Sequence, residues 1–197
     1  MSRGKSRDKL VEAGLELFGQ QGYAATGVQD IADAAGVPKG SFYNYFDSKE
    51  DFAVAVLDRY RQGAVEHFAS LASLDIASPL ARLESLLVGM EEQLAASDFA
   101  GGCLAGRLAQ ELAGENPALR EPLCEVFSAM QDRLAACLRA AQQAGELAAD
   151  EDLELLASFL VNAWQGAMLR AKAAGSVEPL VAVRKVVFSR LLAPLAS

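Results

Sequence analysis

Residues 26–50 read TGVQDIADAAGVPKGSFYNYFDSKE, and the turn and helix signals in this stretch decide how the rest of the chain is read. Thr26 can cap a helix, and Gln29 three residues on completes a capping box, after which Ile31 and Ala32 point inward. Gly36 closes that short helix. Pro38 suits the first turn of the next one, where its missing N–H would be unpaired anyway, and this second helix ends near Phe46. Phe42 and Phe46 stand at i and i+4, so both face inward. The opposite face carries Lys39, Ser41, Tyr43 and Asn44. Two short helices joined by a tight turn match a helix-turn-helix, whose second helix enters the major groove of DNA. The outward donors suit phosphate oxygens and base edges. Ser48 caps a further helix, and Lys49 at its positive end could grip a backbone phosphate. Taken singly, Tyr43 and Tyr45 would read as half-buried aromatics, and Lys39 and Lys49 as solvated surface charges.

Outward from this stretch the chain reads as all-α, because period-2 apolar alternation is absent and Pro and Gly fall mostly at punctuation points. Helix 1 is expected from about Ser6 to Gln20, with Leu10, Val11, Gly14, Leu17 and Phe18 on its apolar face. Gly22 ends it. The helix capped by Ser48 reaches about Leu71. Further helices are expected to start at Ser78-Pro79, Gly102-Cys103, Asn116-Pro117, Asp150 and Ser176, which makes nine. Nothing around residues 50–60 looks like a flexible linker. The expected division is therefore residues 1–50 and residues 51–197, joined rigidly within helix 4.

Of 197 residues, 52% are hydrophobic, enough for a proper buried core. The net charge of −8 argues against indiscriminate nucleic-acid binding, but it is unevenly spread. Residues 1–49 hold six Lys or Arg and six Asp or Glu, so residues 50–197 carry the whole −8. Only the N-terminal part is a plausible DNA-facing region. The opening MSRGKSR reads as a basic arm with no signal-peptide core, so a cytoplasmic location is expected. Leu153–Met168 is apolar but contains Ser158, Asn162 and Gln165 and is too short to span a bilayer; no membrane partner is expected. Cys103, Cys124 and Cys137 form no C-x-x-C pair, so neither a zinc site nor a disulfide framework is suggested, and unbridged thiols fit a reducing compartment. There is no Gly-rich phosphate loop and no G-x-S-x-G elbow, and His67 is the only histidine. No enzyme activity, metal or cofactor is expected.

The stretch from Thr26 to Glu50, above all AGV-x-KG-x-x-Y-x-YF-x-SK, resembles the DNA-binding domain of the TetR family, over residues 6 to about 60. Carried over position by position, the resemblance implies DNA contacts at Thr26, Lys39, Gly40, Ser41, Tyr43, Asn44 and Lys49. Pro38 stands where many members have Ser. One such reader has a small footprint, so two copies on a pseudo-palindromic operator are expected, with half-sites roughly 34 to 36 Å or a multiple apart. Leu153–Ala171, with Ala163, Gly166, Ala167 and Ala171 along it, and the stripe Leu180, Val183, Val187 and Leu191 could form the homodimer contact. The resemblance implies the same, a four-helix interface from the last two long helices of each subunit.

Cys103 follows Gly101-Gly102 at a helix start with Arg107 four residues on, a setting that favours thiolate. The alternative is a small buried hydrophobe. GGCLAGRLAQEL at 101–112 and AKAAGSVEPL at 171–180 resemble segments of the NemR subgroup. That implies a cysteine at Cys103 that senses electrophiles and oxidants, with Lys172 near it. A competing sensor is a reversible ligand held between helices 4, 5, 7 and 8 by Tyr60, His67, Arg107, Gln110, Asn162 and Trp164. Arg107 would then meet an anion such as a small carboxylate; His67 reads first as a satisfied or surface histidine and only second as a ligand contact. The expected function is a DNA-binding repressor released by a small-molecule effector or by modification of Cys103. The alternative class is a helical binding module without a DNA role, which would show no salt-sensitive DNA affinity.

Overall fold

The computed structural model describes residues 3–70 and 75–192, and these hold nine α-helices and no strand. They are α1 (Arg3–Gln21), α2 (Val28–Ala34), α3 (Lys39–Phe42), α4 (Lys49–Ser70), α5 (Pro79–Ala96), α6 (Leu104–Leu112), α7 (Arg120–Gln143), α8 (Leu153–Ala174) and α9 (Glu178–Val186). The all-α reading holds. The expected end of α4 at Leu71 lies outside the described residues.

Local capping explains most of the boundaries. Ser48 Oγ accepts from Asp51 N–H at 3.0 Å and Ser78 Oγ from Ala81 N–H at 3.0 Å, each satisfying an orphan donor of a first turn. Cys103 caps α6, its sulfur accepting from Gly106 N–H at 3.4 Å. Asn116 opens only a single 3-10 turn, Pro117–Leu119, that leads straight into α7. Asp152, not Asp150, caps α8, because its Oδ1 is the one that reaches Leu155 N–H, at 3.0 Å. Ser176 Oγ meets Glu178 N–H at 3.2 Å, and α9 starts two residues after it.

One compact unit comprises Met1–Gly63 and Cys103–Phe127. Its N-terminal core is aromatic: the Phe52 ring lies 5.8 Å from Phe18, 5.1 Å from Phe42 and 4.9 Å from Phe46. Gly14 admits this packing, since a Cβ there would come within 2.8 Å of Val56 Cγ2 and closer to the Phe52 ring. Helix α6 contributes Leu104, Ala105, Leu108 and Leu112, all buried, and packs against α1.

The other unit comprises Ala64–Gly102 and Ser128–Ser197. Leu83, Leu86, Leu138, Leu156, Leu160 and Val187 belong to its core. Gly175 ends α8 in the left-handed region (φ 58°), which lets α9 fold back on α8. Arg184 of α9 forks onto Glu91 of α5, Nε to Oε1 at 2.8 Å and Nη2 to Oε2 at 3.2 Å, and reaches Glu84 at 3.1 Å. Leu155, Phe159 and Leu169 on α8, with Val186 and Leu191 beyond, remain exposed. Among the described residues no helix is long and apolar enough to cross a membrane.

Candidate functional site

The segment expected to run helically from Pro38 to Phe46 is shorter than that. Its α-helix is a single turn, Lys39–Phe42, continued by tight turns in which Tyr45 N–H donates to Phe42 O at 3.0 Å and Phe46 N–H to the same carbonyl at 3.1 Å. Gly40 and the bulky aromatics beyond it disfavour a longer helix, so packing holds the segment. Phe42 and Phe46 are buried against Phe52, as their spacing indicated. Lys39, Gly40, Tyr43 and Asn44 are exposed and Ser41 is half-buried. Tyr43 is 56% exposed, its ring 5.3 Å from that of Phe42.

Two of the expected contact residues are engaged internally. Thr26 is buried, its hydroxyl donating to Gly22 O at 2.6 Å and accepting from Gln21 Nε2 at 3.1 Å. The left-handed turn at Gly22 (φ 86°) brings that carbonyl under the hydroxyl. The cap of α2 therefore falls on Gly27, whose N–H donates to Asp30 Oδ2 at 2.7 Å; the capping-box acid is Asp30, not Gln29. Lys49 turns inward too. Its ammonium donates to Tyr23 O at 2.6 Å and stands 4.0 Å from the centre of the Tyr23 ring. Burial lowers its pKa, while Glu50, Glu111 and Asp30 work to raise it. Glu50 also accepts from the Tyr23 hydroxyl, and burial with that bond raises the phenol's pKa. Lys49→Ala is expected to cost about 2 to 3 kcal/mol in a urea titration, the worth of a charged hydrogen bond with a cation–π contact. A loss within 0.5 kcal/mol, roughly that of an ordinary surface substitution, would mean Lys49 does not tie down the turn.

Cys103 is half-buried at the start of α6, and a second donor joins Gly106 N–H at its sulfur, the Tyr60 hydroxyl at 3.6 Å. Burial, then the charge and hydrogen bond of Cys103, raise the Tyr60 pKa well above its ordinary value. Arg107, expected over Cys103, sends its Nη1 to Gly19 O in the last turn of α1. One turn further, Glu111 Oε2 accepts from Ala24 N–H at 3.0 Å. A Cβ on Gly22 would stand 3.0 Å from Glu111 Cδ and closer still to Oε1. Sequence reasoning did not single out Glu111; its only trace was the four-residue spacing from Arg107.

Gln110 is exposed and donates back to Gly106 O at 3.3 Å. His67 is exposed, in keeping with its surface reading. Asn162 lies on the exposed apolar face of α8, between Phe159 and Gly166, and does not line an interior. The same helix buries Trp164, whose indole N–H has no hydrogen-bond partner among the described residues. Lys172, two turns on, is half-buried. Its Cδ and Met168 Sδ would lie 3.5 and 3.4 Å from a Cβ on Gly102 (φ 123°), the residue before Cys103.

Residues 10–56 match the family model described as bacterial regulatory proteins, tetR family, and residues 79–187 match the tetracyclin repressor-like C-terminal domain. The chain is 41% identical over 179 residues to the transcriptional regulator AcuR of Cereibacter sphaeroides, covering 89% of this chain and 80% of that one. It is 36% identical over 192 residues to the HTH-type transcriptional repressor DhaR of a Mycobacterium species, covering 98% and 95%. Among solved structures, the reduced form of Escherichia coli NemR superposes with a TM-score of 0.85 at 27% identity, covering 93% of this chain and 95% of that one.

Proposed function

The chain belongs to the TetR family of bacterial transcriptional regulators, and from that premise we propose that it is a homodimeric, operator-binding repressor released by an effector acting at Cys103. In this reading residues 1–50 read DNA and residues 51–197 sense and dimerise, in the cytoplasm. The observation that carries it is the outward face Lys39, Gly40, Ser41, Tyr43 and Asn44, standing on a buried Phe42–Phe46–Phe52 base. Thr26 and Lys49 serve this face by holding the turn before α2. The exposed Leu155, Phe159, Leu169, Val186 and Leu191 support pairing of two chains through α8 and α9.

Release begins with Cys103. Its thiolate adds to the β-carbon of an α,β-unsaturated aldehyde; the S–C bond forms, the alkene electron pair moves toward the carbonyl, and solvent protonates the resulting enolate. The sulfur then no longer serves Gly106 N–H and Tyr60 as it did. Similarity to NemR, solved in a form described as reduced, supports a thiol-based response. A second reading, a reversible ligand, is favoured by the buried indole N–H of Trp164, which has no hydrogen-bond partner among the described residues and could donate to a carbonyl or carboxylate.

The test is anisotropy of labelled DNA from upstream of the protein's own gene. Affinity should fall steeply between 50 and 200 mM salt, and Lys39→Ala should reduce the salt slope by about one. An unsaturated aldehyde should abolish binding by the wild type and leave Cys103→Ser bound. Equal loss in both would remove Cys103 as the sensor, and no loss in either would favour the reversible ligand.

A further inference from the structure

We propose that Glu111, with Arg107, is a positioning clasp through which α6 sets the pose of the DNA-reading segment. The inference rests on the reading of this chain as an operator-binding regulator. The two side chains stand one turn apart on α6 and grip both sides of the α1–α2 turn: Arg107 holds Gly19 O, and Glu111 holds Ala24 N–H. The turn is shaped to admit the carboxylate, since Gly22 combines a left-handed backbone with a missing Cβ where Glu111 lies. Lys49 holds the same turn from α4 through Tyr23 O, so residues 22–24 are fixed from two helices.

What the clasp holds is passed on. Thr26 N–H donates to Tyr23 O at 3.2 Å and its hydroxyl to Gly22 O, so the turn reaches Gly27, the cap of α2, as one hydrogen-bonded block. Helix α2 packs on α3, and Val37 N–H closes their junction onto Ala32 O at 3.0 Å. At the other end, Arg107 N–H donates to Cys103 O at 3.0 Å. A nine-residue helix is a rod of roughly 13 Å at about 1.5 Å per residue, so an event at its cap displaces the clasp.

The test uses the full-length protein carrying Cys124→Ser, which removes the exposed thiol, while burial raises the pKa of Cys137. Acrolein is added to a single adduct, mapped to Cys103 by mass. Amide exchange across residues 20–27 and operator affinity are compared with and without Glu111→Ala, after circular dichroism shows each variant folded. Glu111→Ala should speed exchange at Ala24 and weaken operator binding by about two- to thirtyfold, the range for single residues along a coupling network. The adduct should then cost Glu111→Ala less than a further factor of about two, well short of its effect on the intact clasp. Glu111→Gln, which keeps an acceptor oxygen, should fall between. Unchanged exchange at residues 20–27, or a response to acrolein as large as with Glu111 in place, overturns the clasp. If the adduct leaves operator binding intact with Glu111 in place, the Cys103 reading fails, and the clasp stands or falls on exchange and affinity without acrolein. If no DNA is bound at all, the operator reading fails and exchange alone decides.

Discussion

Arg184→Ala should lower stability by about 3 to 5 kcal/mol and the thermal midpoint by roughly 6 to 20 °C. Glu91 is buried and accepts two bonds from the guanidinium, so removing Arg184 leaves a carboxylate without its countercharge in the interior. Glu84, whose side chain is 41% exposed, contributes little beside it, because water already screens that pair. The double replacement Arg184→Met with Glu91→Leu should recover most of the loss, since well-packed apolar groups substitute for a buried ion pair at little cost. Thermal denaturation followed by circular dichroism measures both variants against the wild type. An Arg184→Ala loss under about 1 kcal/mol, the worth of a surface pair, would show that Glu91 finds water when its partner is removed.

Phe52→Ala should cost about 3 to 5 kcal/mol and take operator binding with it. Phe52 is fully buried and is the ring on which Phe18, Phe42 and Phe46 meet. Two of those three anchor the reading segment, so the cavity opens directly behind Lys39–Asn44. Gly14→Ala probes the same site from α1: its Cβ would overlap the Phe52 ring, an overpacking penalty of about 1 to 3 kcal/mol. In a Phe52→Leu background that penalty should shrink, so that the double variant loses less than the sum of the two single losses. Additive urea midpoints, or Phe52→Ala protein that binds DNA at wild-type affinity, would separate the aromatic core from the reader.

The parts legible in the sequence were those whose signals are local. Phe42 and Phe46 read inward because i, i+4 spacing is a property of four neighbouring residues, and Ser48 and Ser78 announced helix starts because a cap reaches only three residues. Thr26 misled for a related reason: its hydroxyl has two local partners to choose between, the Gln29 N–H it would accept from as a cap and the Gly22 carbonyl it can donate to, and the left-handed backbone at Gly22, invisible in composition, decided for the carbonyl. Lys49 read as a grip on a backbone phosphate, with a solvated surface charge as the alternative, because the Tyr23 carbonyl that takes it lies 26 residues away. Arg107 was drawn to Cys103 by spacing, while its acceptor Gly19 lies 88 residues off. Glu111 left no trace beyond its four-residue spacing from Arg107, and the Arg184–Glu91 fork left none, since long-range partners leave no periodic signal. Asn162, read as one possible lining residue of a pocket, is exposed on α8.

Helix α6 shares a compact unit with α1–α3 although it follows them by some sixty residues in the chain. The reader is thus not a detachable cassette. A chimera that grafts residues 1–50 onto another regulator's sensor would bring Gly22 and Ala24 without the carboxylate shaped to meet them. The graft point that respects the molecule is a double one, carrying Met1–Gly63 together with Cys103–Phe127. Recombination between such regulators that keeps this unit whole then needs three crossovers, after Gly63, before Cys103 and after Phe127.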